Sequence, residues 1–446
     1  MLSPVCDSDS TTKCREMENQ NQESFPSQPN QQLSSPTHEL PPNSSNEQTQ
    51  KRNGTESPQH ESHDVPVQPP KSSRNANLPP PSFPQEIVVE ILSYLPVKSL
   101  LRFTCVSKSW KTLKSDPFFI KKHLKTDPNF SKKRVLIDSG SAQIRGIISC
   151  SLKAIFDDPI VTNTTYDDLS YEWFVGSCNG LICIAIKQDG VILVNPTLRV
   201  CKMLPDFGFK KSWNWDCYTV YGFGFDASVD DYKVVRIRCY PNKAFEDGYE
   251  SVVEVFSLRT NCWRMILEFP FRIPFRTAGK HVNGSLNWPV FRGQDEFSHT
   301  IISLDLAEET CKEVPQPCYG DGASERSLGV LDGCLCVLCN YERLYADVWV
   351  MKEYGKRESW TKLVTITYMG VPVYRDNHEY FAAPLFVSRT GEILLQFGMK
   401  LILYNPKWEE FRTPAFRTLS EAFYFINRAV VYEESLVSPT GVNQPS

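Results

Sequence analysis

One short unit recurs through most of this 446-residue chain: an apolar strand, a polar turn, and a second strand that often ends near proline or tryptophan. Copies begin at Val191, Val253, Ile301, Asp347 and Leu401, and reach Pro205, Trp263, Pro315, Trp360 and Pro414. The equivalent positions Leu193, Val255, Ser303, Trp349 and Leu403 stand 62, 48, 46 and 54 residues apart. A four-stranded propeller blade takes roughly 40–50 residues, so the spacing fits a ring of blades with loop insertions. Between copies lie Asn179-Gly180, Asn283-Gly284 and Asp332-Gly333, the dipeptides of tight hairpins whose central residues need positive φ. The stretch 134–157 reads as one more copy of weaker pattern. Five clear copies and one weak one predict a β-propeller of about six blades over 131–437, with Ala429–Val437 pairing back onto the start of the ring.

The N-terminal segment is different. Residues 1–77 contain no Trp, Tyr or Ile and a single Phe, Phe25. A segment of Ser, Pro, Asn, Gln and Glu buries too little apolar surface to offset ordering entropy, so 1–77 is expected to be a disordered tail. It holds 6 of the 48 basic and 10 of the 52 acidic residues, leaving 42 of each for the remainder and the whole net charge of −4 on the tail. Ser-Pro pairs at Ser3, Ser35 and Ser57 are phosphorylation candidates or incidental to the composition. Residues 438–446 read as a flexible C-terminus. The balanced charge argues against a dedicated nucleic-acid binder. No apolar run approaches the roughly 18 residues of a membrane span, and no basic n-region precedes an apolar run as in a signal peptide. Cytoplasm or nucleus, with reduced thiols, is the expected compartment.

Between tail and repeats, residues 78–126 carry helical periodicity. Ile87, Val88, Ile91, Leu92 and Leu95 form one apolar stripe at a period of 3.6. Pro84 suits a helix start and Pro96 a stop. Shorter runs hold Leu100, Leu101 and Phe103, then Val106, Trp110 and Leu113, then Phe118, Phe119 and Leu124. Such stripes are wider than so small a unit buries alone, which predicts a face for a protein partner. The segment has 8 basic and 3 acidic residues.

These residues resemble an F-box. The likeness runs from Phe83-Pro84 through Leu95-Pro96-Val97-Lys98-Ser99-Leu100-Leu101 to Val106-Ser107-Lys108 and Trp110, with Phe83 in place of the usual Leu and Ser107 in place of the usual Cys. The resemblance implies docking onto a Skp-family adaptor and, through it, onto cullin and RING subunits. Pro84, Ile87, Ile91, Leu92, Leu95, Leu100, Leu101, Val106 and Trp110 match the apolar positions of the motif. Some belong to the adaptor interface and others to the module's own core, and the pattern does not separate them. The repeats resemble the plant F-box-associated domain, a relative of kelch-type propellers, at Gly176–Leu181, Tyr221–Asp226, Asp230–Val235, Val282–Gly284, Leu328–Leu331, Trp349–Lys352 and Glu434–Val437. Together the two resemblances imply a multidomain, mainly β chain: tail, all-α module, propeller. They imply a non-catalytic substrate receptor of an SCF-type ubiquitin ligase. An interaction scaffold outside the ligase and a ligand-binding propeller module remain open.

Catalytic signatures are missing. Tyr221–Phe225 contains Gly-x-Gly but neither a third glycine nor a helix start. No phosphate-binding loop, nucleophile elbow or His-Glu-x-x-His appears. Cys334, Cys336 and Cys339 lack a second ligand pair at zinc spacing and read as buried strand residues. No cofactor or metal is expected, and no nucleic acid or membrane partner. Aromatic loops are the candidate target-binding elements: Trp213, Trp215 and Tyr218 in one, the loop 240–250, and Tyr374 and His378 in a third.

Overall fold

A computed structural model describes residues 84–126, 131–140, 145–158, 161, 163–166, 173–186, 190–206, 217–241, 249–268, 272–275, 277–292, 295–320, 322–342, 344–368, 382–416 and 426–440. The tail 1–77 and most of the C-terminus beyond 438 lie outside the described residues.

The helical segment folds into α1 (Gln85–Ser93), α2 (Val97–Phe103), α3 (Lys108–Leu113) and α4 (Pro117–Lys125). Pro84 and Pro96 both sit at the N-cap, one position before the helix proper. Asp116 caps α4 by accepting the Phe119 N–H at 2.9 Å, with Pro117 behind it at the first turn, where its missing N–H costs nothing.

Six blades of four antiparallel strands follow. The first blade holds β1 (Lys133–Gly140), β2 (Arg145–Ser151) and β3 (Asn163–Tyr166). The second holds β4 (Trp173–Cys178), β5 (Leu181–Ile186), β6 (Gly190–Asn195) and β7 (Val200–Met203). The third holds β8 (Tyr218–Asp226), β9 (Asp231–Pro241), β10 (Tyr249–Ser257) and β11 (Cys262–Glu268). The fourth holds β12 (Ala278–Val282), β13 (Ser285–Arg292), β14 (Asp295–Asp305) and β15 (Cys311–Val314). The fifth holds β16 (Ala323–Leu331), β17 (Cys334–Tyr341), β18 (Tyr345–Met351) and β19 (Trp360–Thr367). The sixth holds β20 (Ala382–Val387), β21 (Ile393–Phe397), β22 (Lys400–Asn405) and β23 (Glu410–Arg412). The last strand, β24 (Ile426–Glu433), returns to pair with β1 from Lys133↔Glu433 to Ser139↔Ile426 and completes the first blade. The innermost strands β24, β4, β8, β12, β16 and β20 touch in that order, and β20 meets β24. A ring closed by both chain ends leaves no blade exposing an unpaired flank to its own neighbour.

The five repeat positions named above all fall on the third strand of a blade. The turn after that strand has a common chemistry. Asn195, Asp305 and Asn405 accept backbone N–H groups two or three residues on, at 2.8–3.1 Å, as Asx turns do. Four residues later the chain turns left-handed, at Arg199, Glu309 and Glu409 (φ 56°, 55° and 53°). The terminal Pro and Trp of the units also meet. Trp263 on β11 donates its indole N–H to the Pro205 carbonyl after β7 at 2.7 Å, and Trp360 on β19 does the same to Pro315 after β15 at 2.8 Å. Each bond ties a blade to the one before it. The Asn283-Gly284 hairpin has φ of 50° and 75°, as its sequence required.

Two differences from the sequence reading appear. The weak copy 134–157 gives β1 and β2, then a short helix α5 (Leu152–Asp157) that buries Leu152 and Ile155. The third and fourth blades are also fused: Tyr221 and Gly222 on β8 pair in parallel with Ala278 and Gly279 on β12. The cause is a close approach. A Cβ on Gly222 or Gly279 would lie 2.6 or 2.5 Å from Trp288, whose side chain is fully buried between the two strands.

Candidate functional site

The helical module divides its apolar stripe between two jobs. Leu92, Val97, Leu100 and Phe119 are buried, with Val88, Leu95, Leu101, Phe103, Trp110 and Leu113 packed around them. The Phe103 and Trp110 rings meet at a tilt, 5.7 Å between centroids. Ile87 and Ile91 on α1 and Tyr94 at its C-cap, spaced i, i+4 and i+7, remain exposed (48%, 58% and 57%). Pro84 and Val106 are exposed as well, and Phe118 at the start of α4 is 85% exposed. Of the motif's apolar positions, Leu92, Leu95, Leu100, Leu101 and Trp110 therefore build the core, and Pro84, Ile87, Ile91 and Val106 face solvent. The sequence reading had not singled out Tyr94 or Phe118 as site residues; Tyr94 was legible as the next step of the Ile87–Ile91 row.

The core of the module is completed by the propeller. Leu436, just past β24, is buried among Leu92, Val97, Leu100 and Phe119, with Leu198 beside it. Ile120 and Leu124 of α4 pack against the core of the second and third blades. Asn195 holds the segment that carries Leu436. Its amide donates to the carbonyls of Ser435 (3.1 Å) and Val437 (2.7 Å), and to Ser435 Oγ at 3.3 Å. At the module's other end, the buried Lys132 donates to the His123 carbonyl at 2.7 Å, and His123 Nε2 bonds the Leu95 carbonyl at 2.9 Å.

Several basic side chains of the module and of β1 are engaged by acidic or polar partners. Lys121 pairs with Asp230 on the propeller at 2.7 Å. Lys122 pairs with Glu90, and Arg134 bonds Ser149 at 2.9 Å and Glu434 at 3.4 Å.

Tyr218 lies at the start of β8, where its hydroxyl donates to the Ile273 carbonyl at 2.6 Å and its ring meets the exposed Phe275 edge-on at 5.7 Å. Burial pushes its phenol up. Trp213, Trp215, Tyr374 and His378 lie outside the described residues.

Among the described residues no group of three or more His, Cys, Asp or Glu is placed to hold a metal ion, and no helix is long and apolar enough to cross a membrane. Cys336 and Cys339 are buried in β17, and burial holds both thiols above their ordinary range. Cys150, buried in β2, is pushed up to about 12 by burial. Such thiols behave as small hydrophobes rather than nucleophiles.

Both parts of the chain match known families. The F-box domain family matches residues 81–122 and the F-box associated beta propeller domain family matches 155–421. An F-box/kelch-repeat protein of Arabidopsis thaliana is 33% identical over 379 residues, 81% of this chain and 96% of that one. The F-box protein CPR1 of the same plant is 31% identical over 305 residues, 64% of this chain and 73% of that one. Among solved structures, an oligogalacturonate lyase from Vibrio parahaemolyticus aligns with TM-score 0.35 and 9% identity, covering 64% of this chain and 80% of that one. Aleuria aurantia lectin aligns with TM-score 0.35 and 12% identity, covering 66% and 98%.

Proposed function

This chain belongs to the F-box proteins with an F-box-associated propeller, and from that membership we propose that it is the substrate-recognition subunit of an SCF-type ubiquitin ligase. In this reading the module at 78–126 docks a Skp-family adaptor, which brings cullin and RING subunits. The propeller at 131–437 holds a target protein. The chain performs no chemistry of its own: it raises the effective concentration of the target near a loaded conjugating enzyme. Its compartment is the cytoplasm or nucleus.

The observation that carries the reading is the row Ile87, Ile91 and Tyr94. These large apolar side chains stay exposed while Leu92, Val97, Leu100 and Phe119 beneath them are buried, and an exposed apolar row of this kind marks a partner-binding face. The basic module suits an acidic partner by charge as well. The packing of Leu436 into the module's core supports a receptor whose captured target is held close to the adaptor.

Co-purification of the full chain with a Skp-family adaptor tests this. Wild type is expected to form a stable complex, and the double variant Ile87→Asp/Ile91→Asp to lose it while its thermal transition stays within a few degrees of wild type. Leu100→Ala is a poorer probe, because Leu100 is core and its loss unfolds the module rather than altering its face. A folded wild-type chain that binds no adaptor, or a double variant that still binds, sinks the assignment. Adaptor binding without cullin recruitment would instead identify a scaffold outside the ligase.

A further inference from the structure

Two turns of the ring share one framework, and among the described residues only one of them is covered. The turn between third and fourth strands reads Asn195-Pro196-Thr197-Leu198 in the second blade and Asn405-Pro406-Lys407-Trp408 in the sixth. Each opens with an asparagine whose side-chain oxygen accepts a backbone N–H two residues on, at 2.9 and 3.0 Å. Each turns left-handed at its fifth residue, Arg199 and Glu409. Equivalent turns of like-connected blades emerge at the same end of the ring. In the second blade the apolar residue, Leu198, packs against the core of the helical module. In the sixth its counterpart, Trp408, is 65% exposed, with Lys407 over its ring at 5.2 Å. Tryptophan is among the side chains that most often anchor a protein contact.

The surroundings of Trp408 are acidic. Glu409 and Glu410 are exposed, and among the described residues neither makes an ion pair or a side-chain hydrogen bond. Arg412 on β23 is already engaged: it donates to the Ile155 carbonyl at 3.4 Å and lies 3.8 Å from Glu392. The first of these contacts sets α5 beside the turn. That helix ends in the exposed Asp157, followed by the exposed Asp158, with Lys153 pairing to Asp157. Four carboxylates thus stand against the ammonium groups of Lys153 and Lys407.

The complementary surface is on the module. From Val97 to Lys114 the chain has five basic residues, Lys98, Arg102, Lys108, Lys111 and Lys114, and no acidic one. All but Lys114 are exposed, and among the described residues no ion pair or side-chain hydrogen bond engages any of the five. Val106, between α2 and α3, is 69% exposed. The module meets the first three blades through Leu436, Leu198 and Asp230, and the turn of the sixth blade opens at the same end. Two copies facing each other across a two-fold axis set each module against the sixth blade of the other, and such a contact closes at the dimer. We propose that a second copy of this chain covers Trp408. The α2–α3 face of each copy docks on the sixth-blade turn of the other, with Trp408 against Val106 and the Glu409–Glu410 pair against Lys108 and Lys111. The pairing stands apart from the ligase reading; where both hold, they share Val106, and adaptor and second copy exclude one another.

Sedimentation of the full chain over a range of protein concentrations, without adaptor, tests the pairing. A monomer–dimer equilibrium with no larger species is expected, weakening as salt is raised. Trp408→Ala, Glu409→Lys/Glu410→Lys and Lys108→Glu/Lys111→Glu are each expected to weaken the dimer about tenfold or more while keeping the wild-type melting transition. The chain carrying both charge reversals is expected to recover most of the affinity, because the two faces then attract with signs exchanged. Met203→Asp, at an exposed apolar side chain on the outermost strand of the second blade, is expected to change nothing. A chain that stays monomeric up to its solubility limit overturns the pairing, as does folded Trp408→Ala that dimerises as well as wild type. Dimers broken by each charge reversal and not restored by the two together overturn it as well.

Discussion

Removing the side chain of Asn195 is the sharpest test of how the two domains are joined. Asn195 is fully buried. Its carbonyl accepts the Thr197 and Leu198 N–H groups at 2.9 and 3.1 Å, which shapes the β6–β7 turn. Its amide holds the Ser435 and Val437 carbonyls. Asn195→Ala leaves those two carbonyls without their donor in a region from which water is largely excluded. A buried group stripped of its partner costs about 1–3 kcal/mol, so the two carbonyls of the strap account for roughly 2–6 kcal/mol and the lost turn bonds for about 1 kcal/mol more. The expected total is about 3–7 kcal/mol, against a typical domain stability of roughly 5–15 kcal/mol, so the variant should be strongly destabilised. Asn195→Asp keeps the turn acceptor and loses the amide donors, and should retain most of the penalty. Equilibrium denaturation measures the total. Hydrogen exchange locates it: protection should fall at 434–437 and, because Leu436 fills the helical core, also in α1, α2 and α4. A penalty under about 1 kcal/mol, or a loss of protection confined to 434–437, would refute the argument that this strap joins module and ring.

Three further expectations follow from other parts of the ring. Glu254, fully buried, pairs with Arg236 at 2.6 Å and Arg238 at 3.5 Å; Glu254→Gln should cost about 3–5 kcal/mol in denaturant unfolding, because it leaves buried guanidinium charge uncompensated. Gly279→Ala drives a methyl into Trp288 and should cost about 1–3 kcal/mol, with a change in tryptophan fluorescence. Lys280 is lowered to about 8 from 10.5, so between those pH values the unfolded chain holds a proton that the folded chain has released, and stability rises with pH across that window. Buried phenols such as Tyr218 and Tyr232, which burial raises, act in the opposite sense, so the readout is the difference between wild type and Lys280→Met over pH 7–10.5, and a flat difference would contradict the placement of that lysine.

The strands were legible because their pattern is local. A third strand followed by Asn, Asp or Ser and a left-handed residue four positions on is a self-contained turn, so its period could be counted. The Pro and Trp ending each unit were equally visible, but their bond was not: Trp263 and Pro205 are 58 residues apart in sequence, and only the stacking of one blade on the previous one brings indole to carbonyl. The fusion of β8 with β12 was hidden for the same reason, since Gly222 and Gly279 read as ordinary strand glycines until Trp288 is seen between them.

The helical module shows the division most plainly. Period and composition alone determined that residues 85–125 would form short amphipathic helices, that their apolar stripe exceeded the core of so small a unit, and that a ring of blades would follow. Helical phase relates the residues of a stripe to one another but not to their surroundings. Which flank of the stripe is buried depends on what packs against it. Tertiary structure placed Leu436, more than 300 residues downstream in the sequence, against Leu92 and Leu100 and left Ile87 and Ile91 in water. It also set β12 and β24 on opposite sides of the ring, because closure by the last strand is what fixes which blades face one another.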